Sequence, residues 1–273
     1  NNVGVDTSQI KIKQNVKSGL VLGLTDRKGN RALYVEPGAN NLLTKEDIDL
    51  EYIKQAELLH LSSFVDDEQF EMQKFVVSEI PQSVKISFTP GAIYTRKGID
   101  AVTPILERTY ILFINESEIE ELANMKYTYA ARHFLDKGCQ IVVVTLGRGS
   151  SRKADSHQLT FDFKNHLKIL STGGYTVDDN GNEPFMFASY VADLNNQYII
   201  ESKPGDRKDT TGAGDAFATG FLYGLLNGKE SEECGRLGDI VAQFSITRIG
   251  ARDGLPALTE LTQRYQELYH QGL

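Results

Sequence analysis

The chain has 273 residues, of which 40% are hydrophobic and 24% charged, the balance of an ordinary globular protein long enough for one large core. Its net charge of −8, with no basic tail or polybasic patch, argues against a nucleic-acid partner, and its longest apolar runs are far too short to span a bilayer. Two cysteines, Cys139 and Cys234, are too few for a disulfide framework and read as small buried hydrophobes in a reduced, cytoplasmic setting.

The first residue is Asn1 rather than Met, which predicts that the natural chain starts further upstream. Residues 18–26 (SGLVLGLTD) and 31–37 (RALYVEP) are short β-prone runs separated by Arg27-Lys28-Gly29-Asn30, a hairpin signal. Thr44 and Asp47 form a capping-box-like pair that predicts a helix from Thr44 onward. Strands are then expected at 57–63, 84–88, 110–115 and 140–146, and helices at 66–80, 98–108 and 116–137, the last with a break near Asn124. These strands are nearly continuous apolar runs, as strands covered on both faces require, so the pattern predicts a parallel sheet with crossover helices. Residues 148–208 are weakly patterned and predict antiparallel strands and turns. Three helical patterns follow, at 213–226, 231–247 and 258–270.

The chemistry concentrates at the start of the first of these, in DTTGAGDAFATGF. Gly212-Ala213-Gly214 at a helix start leaves backbone N–H groups unpaired and uncrowded, which suits an anion. Asp215 places a carboxylate beside that anion hole. The pair fits phosphoryl transfer to an alcohol, with the base taking the hydroxyl proton while amides hold the developing charge. No stretch satisfies the Walker spacing, since GLLNGKE has no hydroxyl after Lys229. The dinucleotide fingerprint fails because Phe217 stands where a third glycine is needed, which disfavours an oxidoreductase. The plain alternative is a glycine-loosened helix start with Asp209 as its cap.

These residues resemble the C-terminal signature of the ribokinase-like (pfkB) carbohydrate kinases, and the resemblance runs along the chain in family order. It includes GVDTSQI, the Gly-Ala-Asn loop after the hairpin, the Asn-x-x-Glu of INESEIEEL, VVVTLG with a Thr-Leu-Gly turn, and SITRIGARDGLP. It implies a three-layer α/β sandwich with a mainly parallel central sheet flanked by helices. It also implies a small β lid within residues 1–37 that often serves as a homodimer contact, and a nucleotide- and substrate-binding core over 38–273. The implied activity is phosphotransfer to a small sugar or nucleoside, with ATP as donor and ADP as the other candidate.

The resemblance further implies Asp215 as general base and Gly212, Ala213 and Gly214 as anion hole. Asn115 and Glu118 would organise Mg²⁺ through waters, while Thr145, Gly147, Thr247 and Gly250 would approach the nucleotide. Asp209, Thr211, Ser245, Gly250 and Gly254 would ring a monovalent cation such as K⁺. Read alone, Asn115 and Glu118 are simply a helix start. Two departures stand out: the family's opening sugar-binding strands do not precede Asn1, and Ser62 stands where ribokinases present a glutamate, so strict ribose specificity is in doubt. His60 and Ser62 are candidates to face the acceptor, the plain reading of His60 being a satisfied strand histidine. A non-catalytic nucleotide-binding relative is a further reading, opposed by the intact Asp215.

Overall fold

The computed structural model describes residues 4–25, 31–148, 167–171, 187–202 and 208–273. Two compact units divide the chain, Asn1–Tyr110 and Ile111–Leu273.

In the first unit, β1 (Leu20–Thr25) and β2 (Arg31–Glu36) pair antiparallel, with Leu22 opposite Tyr34, as the two β-prone runs predict. The turn between them, at 27–30, lies outside the described residues. The expected helix at Thr44 is corrected. Thr44 N–H does donate to Asp47 Oδ2 at 2.8 Å, but the box closes only a 3₁₀ turn, Lys45–Asp47. Asp49 then accepts from Tyr52 N–H at 3.0 Å and starts a separate short helix, α1 (Leu50–Ile53). A second side-chain acceptor so close competes with the helical ladder and interrupts it.

Next, β3 (Leu58–Ser62) runs parallel to β4 (Lys85–Thr89), connected by α2 (Asp67–Glu79). Ile86 and Phe88 are fully buried, and α2 contributes Phe70, Met72, Val76 and Val77 to the core. Behind Pro90 comes α3 (Gly91–Thr95), which the sequence pattern did not announce, then α4 (Ile99–Leu106). Buried polar groups lock the loops. Gln69 Nε2 donates to Asn41 and Leu43 carbonyls at 3.0 and 3.1 Å, holding the Gly-Ala-Asn loop. Gln73 Nε2 donates to the Ser62 carbonyl at 2.8 Å, while Tyr94 O–H donates to Gln73 Oε1 at 2.8 Å.

The second unit is built on β5 (Thr109–Asn115), α5 (Glu116–Ala123), α6 (Tyr127–Asp136) and β6 (Ile141–Arg148). Three strands follow, β7 (Leu167–Ser171), β8 (Phe187–Asp193) and β9 (Gln197–Ser202), before α7 (Ala213–Leu226), α8 (Ser231–Ser245) and α9 (Leu258–Tyr269). Asn124, left-handed at φ 51°, ends α5, where a break is expected. Val142, Val143 and Val144 are all fully buried, so both faces of β6 are covered.

The strand order here is β5-β6-β8-β9-β7. β5–β6 and β7–β9 are parallel, but β8 runs antiparallel to both β6 and β9. The antiparallel expectation for residues 148–208 is met at β8. The expected antiparallel segment yields one hairpin, β8–β9, with β7 alongside β9 in parallel. The expected Thr-Leu-Gly turn appears as an irregularity within β6: Gly147 is left-handed at φ 64°, and the pairing with β8 slips register between Thr145 and Arg148. The fold class stands: mainly parallel strands flanked by helices, plus a small antiparallel pair. Both cysteines are buried, and burial pushes their thiols up to about 12, which keeps them inert hydrophobes.

Candidate active site

The glycine-rich signature opens α7 as expected. Gly212 is its N-cap, in the left-handed region at φ 76°, and no side chain caps the helix. A Cβ at Gly212 would stand 2.9 Å from the Ala251 Cβ, so both backbone conformation and packing demand glycine there. Ala213 N–H donates to the Thr210 carbonyl at 3.3 Å, and Ala216 N–H to the Gly212 carbonyl at 2.8 Å. Gly214 and Asp215 supply first-turn N–H groups that a helix leaves without an intrahelical acceptor. Both residues are exposed, and a Cβ at Gly214 would meet nothing within 4 Å. Open donors and the positive end of the helix dipole thus meet free space next to a carboxylate.

The apolar run behind the signature explains how that end is held in place. Ala216, Phe217, Ala218 and Phe221 are buried, and the Phe221 ring meets Phe113 of β5 edge-on at 5.4 Å. α7 and α8 approach closely through small residues: a Cβ at Gly220 would lie 2.5 Å from the Leu237 carbonyl oxygen. The helix is clamped along its length while its first turn stays open.

Asp209 does not cap α7, which corrects the plain alternative. Its Oδ1 accepts from Thr211 N–H and Oγ1–H at 2.9 and 2.7 Å, and its Oδ2 accepts from Gly250 N–H at 3.0 Å. Lys208 N–H also donates to the Ile246 carbonyl at 2.8 Å. The turn entering α7 and the loop leaving α8 are thereby tied together. Gly254 packs against the Ser245 carbonyl, where a Cβ would come within 2.6 Å, and Thr247 Oγ1–H donates to the Phe244 carbonyl at 2.8 Å. Asp209, Thr211, Thr247, Gly250 and Gly254 therefore belong to two loops packed at the signature, with Ser245 at the end of α8 beside them. Lys208, Arg248, Ile249 and Asp253 line a cavity of about 430 Å³ on these same loops. Sequence reasoning passed over these four, although cations flanking both motifs in a chain of net charge −8 are a usable signal.

A second group lies at the ends of two parallel strands. Asn115 of β5 stands beside Thr145 of β6 in register. Asn115 Oδ1 accepts from Glu118 N–H and Ser117 Oγ–H, each at 2.8 Å, and Glu118 Oε2 accepts from Asn115 N–H at 3.3 Å. This is a reciprocal capping box. With Asn115 Oδ1 used twice, its side chain can offer N–H donors but not a further strong ligand oxygen. Glu118 Oε1 has no hydrogen bond among the described residues. Burial raises the Glu118 carboxyl above its usual range, against the lowering effect of its bonds with Asn115. A Cβ at Gly147, further along β6, would meet nothing within 4 Å among the described residues. In the first unit, His60 Nδ1 is 2.7 Å from Ser87 Oγ, in keeping with the plain reading of a bonded strand histidine. No helix among the described residues is long and apolar enough to cross a membrane.

Comparison with known proteins supplies a family. The model of the pfkB family of carbohydrate kinases matches residues 1–161 and 182–258. An uncharacterized sugar kinase of Archaeoglobus fulgidus is 35% identical over 93% of this chain and 86% of its own length. A nucleoside kinase of Methanothermobacter thermautotrophicus is 23% identical over 96% of this chain and 71% of its own. Among solved structures, a candidate ribokinase II of E. coli in complex with ATP and Mg²⁺ superposes with a TM-score of 0.66 at 20% identity, covering 87% of this chain and 68% of that one.

Proposed function

The chain belongs to the pfkB family of carbohydrate kinases, and from that premise we propose that it transfers the γ-phosphoryl group of ATP to a hydroxyl of a small sugar. It is a kinase of the ribokinase family, acting on a sugar or a nucleoside. The observation that carries the finer reading is the open first turn of α7. There Asp215 stands exposed beside unpaired N–H donors, so one group can take the acceptor's proton while the others hold the charge of the moving phosphoryl group.

Mg²⁺ fits the Asn115–Glu118 corner through one oxygen. Glu118 Oε1 is available to a metal-bound water, and a cation there would offset the burial that now disfavours the charged carboxylate. Asn115 would meet phosphate or water as an N–H donor. When bound, the metal would neutralise phosphate charge. Thr145 and Gly147 would border the same phosphates, with Thr247 and Gly250 on the opposite loop. For a monovalent cation, Asp209 would supply a carboxylate, and the Ser245 carbonyl is at hand beside Gly254. Its role would be to set the loop that aims Gly212 to Gly214. Rates at constant ionic strength in K⁺, Na⁺ and tetramethylammonium test this; K⁺ activation that vanishes in Asp209→Asn is expected, and equal rates in all three salts would exclude it.

A nucleoside acceptor is the second reading, favoured by the nucleoside kinase relative. An ADP-release assay against pentoses, hexoses, keto-sugar acids and nucleosides separates them. Turnover with one sugar class and none with nucleosides is expected; the reverse would replace the sugar reading.

A further inference from the structure

The cavity beside the signature holds two cations that no step described so far uses. Lys208 and Arg248 line it together with Ile249 and Asp253. Both cations are exposed, and neither forms an ion pair among the described residues. Arg236, by contrast, pairs with Glu232 at 2.6 Å, whereas these two cations converge on one cavity with no ion pair among the described residues. Ile249 is 75% exposed in the same wall, an apolar side chain held outward in a loop that Gly250 N–H and Lys208 N–H tie down from both sides. The wall therefore presents positive charge, one carboxylate and one apolar surface.

We propose that Lys208 and Arg248 grip the phosphate chain of the nucleotide donor in this cavity, with Ile249 against its base or ribose. The inference rests on the donor reading above and assigns that role to these two side chains. Their backbones belong to the two loops that pack at Gly212 and Ala251, so the gripped chain lies next to the open turn of α7. Arginine and lysine recognise phosphate by charge-assisted hydrogen bonds, and arginine can do so through two parallel bonds. Among the described lining residues, Asp253 sets one negative charge against the two positive ones, and so weakens anion binding. These are positioning residues for the donor; the proton and the phosphoryl group move elsewhere.

The test uses calorimetric binding of ADP and of adenosine to the full chain, with steady-state kinetics. Lys208→Met and Arg248→Met should each weaken ADP by about tenfold, the scale of a lost hydrogen bond to a charged group, with adenosine unmoved. KM for ATP should rise in step while kcat and the acceptor KM hold. Asp253→Asn should tighten ADP two- to fivefold, and raised salt should shrink all three differences. All three side chains are exposed, so Tm should stay near the parent's. Unchanged ADP affinity in both cation variants of a parent that binds ADP would overturn this inference alone. A parent with no affinity for ADP would overturn it together with the donor reading.

Discussion

Two helices of the second unit begin in opposite ways. α5 starts on Asn115, whose side chain accepts from Glu118 N–H while Glu118 returns the bond to Asn115 N–H, so two of its end donors are answered by side chains. α7 starts on Gly212 with no side-chain cap, and its first turn faces open space. The same backbone end is sealed in one case and left open in the other. Glycine in place of a capping side chain typically forgoes about a few tenths of a kcal/mol. A fold keeps such a vacancy where something outside the chain fills it, and α7 is the end flanked by Asp215, Lys208 and Arg248.

Substitutions at the two ends should separate activity from stability. Of the substitutions in the backbone of these two ends, Gly214→Val should have the largest effect. No atom lies within 4 Å of the added Cβ, so Tm should barely move, but the branched side chain fills the space where the anion would sit. A loss of about 10²–10³-fold in kcat, the scale of a lost oxyanion donor, should appear in steady-state assays. Gly220→Ala should reverse the pattern. Its Cβ meets the Leu237 carbonyl at 2.5 Å, so about 1–3 kcal/mol should be lost in urea unfolding as α7 and α8 are pushed apart.

At the sealed end, Asn115→Ala should cost about 1 kcal/mol of stability through the lost cap. Smaller still is Glu118→Gln, where the sign depends on pH. Burial raises the folded carboxyl above its unfolded value, so this group favours folding fully below the unfolded pKa and loses that contribution as pH rises through the folded pKa. Without Mg²⁺, the variant should equal or slightly exceed the parent's Tm at pH 7, with the difference narrowing toward pH 4. With Mg²⁺, its rate should need more metal than the parent's while the acceptor KM holds.

The contrast was only partly legible in the sequence. The bounds of α7 could be read from its apolar run, and the buried strands from theirs, because continuous burial leaves a strong signal. The Asn115–Glu118 pair was visible as a helix start, but its engaged oxygens were not. Three-dimensional partners decided the rest. Gln69 and Gln73 read as polar helix positions, yet both are buried and hold loops of the first unit. β8 was expected only as one of the antiparallel strands of a loosely patterned segment, and its two neighbours could not be deduced from local periodicity. Gly228, just past α7, has a φ of 73°, so alanine there is a strained change, expected to cost about 1 kcal/mol.

The central claim is that the open turn of α7 works with Asp215 as the proton acceptor. Asp215→Asn tests it most directly, because the side chain is exposed and the replacement nearly isosteric. Measured side by side, ADP affinity and Tm should match the parent's while kcat falls about 10²–10⁴-fold, the usual share of general base catalysis. Turnover at close to the parent rate, with the acceptor saturating, would contradict the account.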